Sequence, residues 1–263
     1  MSQQDIDSTE APLLEHLIEL RRRLIYCVIG LAAAFIISFA LSTQIFNLLI
    51  LPFKWGTGRS VELIQTELLG FFFVKLKIGF FGAMFVTFPL IAIQIYKFVA
   101  PGLYSNERNA FRPYLVATPI FFLLGAALVY FGLLPVAISF FFSLVEGTGG
   151  DGQAQVQLMP DVRSYLDFVM MLILAFGLCF QLPVILTLLG QIGVVNYQQL
   201  KSGRKFAIVG VFAVAAILTP PDPISQIAMA VPLMALYEVA VQAVRILDRR
   251  KAAAEAAKDA ATL

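Results

Sequence analysis

The chain has 263 residues, 59% of them hydrophobic, with a mean hydropathy of +0.84 and a formal net charge of only +2. That apolar fraction exceeds the roughly 45–50% of an ordinary soluble domain and excludes one as the body of the chain. The small charge gives no electrostatic basis for a nucleic-acid partner, and two cysteines with a single histidine give neither a disulfide framework nor metal-ligand spacing.

In chain order, Leu13, Leu17, Leu20 and Leu24 recur at the spacing of one helical face and predict an amphipathic helix, with Pro12 in its first turn, that feeds a first span over Leu24–Thr43. Arg21-Arg22-Arg23 before an apolar run looks like the start of an export signal. The run is longer than the 7–15 residues of a typical signal core, has no small-residue cleavage site before Gln44, and is followed by more spans, so it reads as retained. Ile78–Tyr96, Tyr114–Phe142 and Tyr165–Leu189 each reach the length of about 20 apolar residues that a bilayer crossing needs. Lys75 and Lys77 read as anchors at the outer start of the second span, and Pro119, Pro135 and Pro183 are expected to bend their helices. The apolar run Phe206–Leu218 reaches only about 20 Å across a core of about 30 Å before Thr219-Pro220-Pro221-Asp222-Pro223 turns the chain into Ile224–Val244, so either the fifth span is short and thins the bilayer or the pair is a hairpin that enters and returns without crossing. The expected fold is all-α: a polytopic membrane protein, a bundle of six transmembrane helices with short fifth and sixth spans. Residues 1–249 form one transmembrane domain, and 250–263 an Ala-rich cytoplasmic tail.

The basic residues orient the bundle. With the N-terminus inside, fourteen of the nineteen Lys and Arg fall on the inner side and five on the outer, which puts both termini in the cytoplasm.

Catalytic groups are sparse. His16, the lone histidine, has no nucleophile beside it, and Gly147-Thr148-Gly149-Gly150-Asp151-Gly152 lacks the Gly-Lys-Ser/Thr ending of a phosphate loop and reads as an outer loop. Cys27 and Cys179 lie in apolar runs as small packing residues. Two carboxylates on the inner face are the sharper features. Glu19 stands four residues before Arg23, the spacing of an intrahelical ion pair; Glu107 follows Pro101-Gly102 and Ser105-Asn106 in the loop between the second and third spans, where a helix N-terminus favours an anion. Within or near the membrane, Gln181, Gln226 and Glu238 are polar positions that need a partner: a packing hydrogen bond in the chain or a neighbouring helix for Gln181, snorkelling to the inner surface for Glu238.

His16-Leu17-Ile18-Glu19-Leu20-Arg21-Arg22-Arg23-Leu24, Phe98-Val99-Ala100-Pro101-Gly102-Leu103-Tyr104 with Glu107-Arg108, Ser164-Tyr165 with Phe168 and Phe176-Gly177, and Leu218-Thr219-Pro220-Pro221-Asp222 with Ser225-Gln226 resemble, in order and spacing, the motifs of TatC, the multispanning subunit of the twin-arginine protein translocase. The resemblance covers roughly residues 12–245. It implies a receptor in the bacterial-type inner membrane, with no active site and no cofactor, that recognises the paired arginines of export signals on folded cargo and serves as the core scaffold of the translocase. Glu19 and Glu107 would accept the two guanidinium groups, with Arg21 and Phe98 shaping the site. A carboxylate suits that task because it takes arginine through two parallel hydrogen bonds that lysine cannot reproduce. The implied partners are the single-span subunits TatB and TatA, further copies of the chain and the bilayer itself, and the implied energy source is the proton-motive force. Family members often carry glutamate where this chain has Gln181, so an ionic role there is not expected, whereas hydrogen bonding to a partner helix is. Thr219, Asp222 and Gln226 are expected to face a partner helix as well.

The competing class is a secondary solute or ion transporter, which needs a midplane site built from charged or broken helices. The first four runs carry almost no midplane charge and no tandem repeat is visible, which favours the receptor.

Overall fold

The computed structural model describes residues 3–58, 63–99, 112–146, 159–218 and 223–261. Its elements are α1 (Gln3–Ala40), α2 (Ser42–Thr57), α3 (Gly70–Val99), α4 (Arg112–Ala127), a π-helical turn (Leu128–Leu133), α5 (Leu134–Glu146), α6 (Val162–Cys179), α7 (Leu182–Gln191), α8 (Tyr197–Leu218) and α9 (Pro223–Ala261). Among the described residues there is no strand, only an isolated parallel bridge in which the Val162 N–H donates to the Ile64 carbonyl at 3.0 Å. Among the described residues five helical stretches are long and apolar enough to cross a membrane: His16–Ala40, Gly70–Phe98, Pro113–Val145, Val162–Gln191 and Gln226–Ala253, the last of which has 28 residues where the sequence led us to expect a short sixth span. α8 is not one of them; Lys201, Arg204 and Lys205 occupy its first half and leave Phe206–Leu218 as its apolar part.

Several local outcomes differ from the sequence expectation for physical reasons. The first helix starts at Gln3 rather than at Pro12. Pro183 divides its span outright instead of bending it. Its ring clashes with the carbonyl four residues back, that of Cys179, and α6 ends there. Pro135 follows the π turn, in which the Leu134 N–H reaches back five residues to the Val129 carbonyl. Pro119 lies inside α4 without dividing it. α2 ends at Gly58, whose φ of +65° places the left-handed residue that closes a helix, its N–H donating to the Lys54 carbonyl at 2.9 Å.

α6 is the centre of the bundle. Leu166, Val169, Leu172, Ile173 and Phe176 are buried at helical spacing, with Phe122 and Val129 in the third span, Val74 and Ile78 in α3, Leu49 and Phe53 in α2, and Met229 and Leu233 in α9 completing the core. Two glycines let α4 and α6 close up. A Cβ on Gly125 would lie 2.7 Å from the Phe176 carbonyl oxygen, and one on Gly177 would lie 2.6 Å from the Phe122 ring. α1 packs mainly along α3 and turns Leu24, Ile25, Val28, Ile29, Ile36 and Ile37 outward, a face suited to lipid tails.

Candidate functional site

The N-terminal part of α1 meets the last turns of α3 through residues that share a face on each helix. His16, Glu19 and Arg23 recur at three and four residues, and Gln94 and Phe98 at four. The His16 ring stacks on Phe98, with centroids 4.2 Å apart and planes 20° from parallel. The Arg23 guanidinium donates through Nε to Glu19 Oε1 at 3.0 Å, through Nη2 to the same oxygen, and through Nη1 to Gln94 Oε1 at 3.3 Å. The other carboxylate oxygen, Glu19 Oε2, lies 4.0 Å from His16 Nδ1. A carboxylate, a guanidinium, an amide and an aromatic pair thus stand together at one end of the bundle. That is a setting in which a planar cation is held by charge and by two-donor contact with a carboxylate, beside an aromatic stack.

Of the four residues proposed for signal binding, the structure brings Glu19 and Phe98 together through His16. Arg21 is exposed and two residues from Glu19, a spacing that does not share a helical face. Glu107 lies outside the described residues. Gln94 and His16 were not foreseen in the site. The signal for Gln94 was in the sequence: a polar residue one turn before Phe98 in an otherwise apolar run.

The intramembrane polar positions are spread over the bundle. Gln181, only 6% exposed, sits at the break between α6 and α7 and donates through Nε2 to the Thr118 carbonyl at 3.0 Å and more weakly to that of Gly177 at 3.5 Å. Its amide N–H groups are therefore used within the chain, tying the break to α4. The Tyr96 and Thr118 hydroxyls lie 3.0 Å apart and extend this tie to α3. Gln226 donates to the Phe212 carbonyl of α8 at 3.2 Å. Glu238 on α9 accepts from Arg204 of α8 at 2.7 Å and from Gln242 at 2.8 Å, beside an apolar groove of about 320 Å³ between the two helices. Thr219 and Asp222 lie outside the described residues.

The opposite end of the bundle holds a polar group that the sequence reading missed. Lys77 on α3 donates to both oxygens of Asp167 on α6, at 2.7 and 2.6 Å, and Arg163 pairs with Glu67 at 3.0 Å. Asp161 caps α6 by accepting from the Ser164 backbone N–H at 3.1 Å. Among the described residues no three His, Cys, Asp or Glu side chains gather as metal ligands would.

Known proteins resemble this chain over nearly its whole length. A family model described as Sec-independent protein translocase protein (TatC) matches residues 15–232. The Sec-independent protein translocase protein TatC of Magnetococcus marinus is 41% identical over 251 residues, 95% of this chain and 90% of that protein. Its counterpart of the same name in Escherichia coli is 36% identical over 230 residues, 88% of this chain and 86% of that one. A crystal structure described as the twin-arginine translocase receptor TatC superposes with a TM-score of 0.74 at 36% identity, covering 88% of this chain and 98% of that one. A second, in DDM, gives a TM-score of 0.75.

Proposed function

The chain belongs to the TatC family of Sec-independent protein translocase proteins, and from that premise we propose that it is the signal-peptide receptor and core scaffold of a twin-arginine translocase, binding the twin-arginine signals of folded proteins for export. One observation carries the reading. The Glu19 carboxylate already holds a guanidinium, that of Arg23, against Gln94 and beside the His16–Phe98 stack, so this end of the bundle has the chemistry to hold an arginine. Glu107, between α3 and α4 in the sequence, accepts the second arginine. Phe98 gives the site an apolar wall, and Arg21, exposed at its margin, helps shape it.

The work is binding and assembly rather than bond-making, and it uses no cofactor. The chain crosses a bacterial inner membrane six times with both termini in the cytoplasm. The fifth crossing, α8, is short and thins the bilayer, the sixth runs in the longer α9, and Thr219, Asp222 and Gln226 near their turn meet a partner helix. The partners are single-span TatB and TatA subunits and further copies of the chain.

Peptide titration tests the site. Glu19→Gln and Glu107→Gln should each weaken binding of a twin-arginine peptide by about tenfold or more, the scale of a lost charge-assisted pair, while the purified protein keeps its oligomeric profile. A twin-lysine peptide should bind wild type poorly. Equal affinity of wild type and both variants for the arginine peptide removes the assignment. Topology has its own test: a cysteine introduced at Gly150 should react with an impermeant thiol reagent outside intact cells and one at Asn106 should not, the reverse pattern inverting the orientation.

A further inference from the structure

Glu19 meets Arg23 side-on. Both donors fall on Oε1, while Oε2 is left facing His16 at 4.0 Å. An arginine received fork to fork needs both carboxylate oxygens, so a ligand guanidinium cannot dock on Glu19 in that way while Arg23 stays on Oε1. Arg23 has somewhere to go. Its third nitrogen, Nη1, already points at Gln94 Oε1, on another helix, at 3.3 Å, longer than a good hydrogen bond. The Arg23 and Glu19 side chains remain 16% and 24% exposed, so an incoming cation can reach the pair.

From this arrangement we propose that Arg23 is a displaceable internal counter-ion of Glu19 and Gln94 the acceptor that takes it over, so that a guanidinium is admitted to the site only by exchange. The inference rests on Glu19 being a signal-binding residue. It makes Arg23 a specificity-determining residue rather than a source of affinity. An arriving arginine restores the two-donor contact that Arg23 gives up and can improve on it by using both oxygens. A lysine ammonium, a compact charge without the fork, offers no such replacement and leaves Arg23 in place. Discrimination comes from the competitor already in the site, a repulsive element working together with an attractive one.

The variants make opposite forecasts. Arg23→Gln removes the competitor and should tighten the twin-arginine peptide about two- to fivefold, the range expected from losing a partly exposed ion pair. It should tighten the twin-lysine peptide more, so that the ratio between the two falls. Arg23→Lys should lie between wild type and Arg23→Gln, and it keeps the test alive should the glutamine variant fold poorly. Gln94→Leu removes the alternative acceptor, holds Arg23 on Glu19 and should weaken the arginine peptide. Measured by titration on the purified full chain with Glu19→Gln alongside, the outcomes separate. Glu19→Gln without effect overturns the site itself. Glu19→Gln weak, but Arg23→Gln no tighter than wild type or with an unchanged arginine-to-lysine ratio, leaves the site standing and overturns the exchange. Gln94→Leu with wild-type affinity overturns the part assigned to Gln94.

Discussion

Gly125→Leu should melt well below wild type in detergent, with a loss of about 2–3 kcal/mol or more, because the space the side chain needs is occupied by backbone rather than by side chains that can rotate away. Its Cβ would stand 2.7 Å from the Phe176 carbonyl oxygen and 2.9 Å from the Phe180 ring. Relief requires α4 and α6 to separate where Phe122 packs into the core, and Phe122 is itself pinned by stacking on Phe88 at 4.0 Å and by Phe85 at 5.1 Å. Gly177→Ala should act in the same direction, since its Cβ meets that pinned ring at 2.6 Å. Gly210, whose Cβ would have nothing within 4 Å, is the control: Gly210→Ala should be neutral or slightly stabilising, since alanine is the better helix former. A Gly125→Leu protein that melts with wild type would show that the two helices do not depend on this approach.

The second large effect is expected at the Lys77–Asp167 pair. Lys77→Met leaves a carboxylate on α6, and Asp167→Leu leaves an ammonium on α3, each at the margin of an apolar span where an unpaired charge is costly. Each single change should lower stability by about 1.5–3 kcal/mol, the range for a hydrogen bond to a charged group. The double replacement should cost less than the sum of the two, because it strands neither charge. Exchanging the residues, Lys77→Asp with Asp167→Lys, should recover most of the loss. Strictly additive single effects would mean that the contact carries no coupling.

Apolar run length made most of the fold legible, because four of the spans are set by transfer of side chains into hydrocarbon, and that signal is local. What escaped was set by contact between distant segments. Lys77 read as an interface anchor because its partner lies 90 residues away on α6. The division at Pro183 is a local backbone event that the sequence read as a bend, and the π turn has no periodicity signal of its own. In the site, the pairing of Glu19 with Arg23 was legible because it is an i, i+4 relation on one helix. The approach of Gln94 and the stacking of His16 on Phe98 were not, since they need α1 laid along α3 in one register. Gln181 shows the limit from the other side: the sequence left an internal bond and a partner helix both open, and the distance to the Thr118 carbonyl shows where its N–H goes within the chain.

The π turn makes the third crossing two helices in series with a phase step between them. Before the step, α4 lies against α6 through Gly125; within it, the Tyr130 hydroxyl donates to the Leu48 carbonyl of α2 at 2.7 Å; after it, α5 lies against α2, where a Cβ on Gly56 would come within 2.7 Å of the Pro135 carbonyl oxygen. One continuous α-helix of the same sequence has a single phase, in which the second set of contacts is rotated by about 100° for each residue gained or lost. The wider turn works as a fixed coupling between the two halves: the five-residue reach of Leu134 to Val129 offsets the face presented to α2 from the face presented to α6.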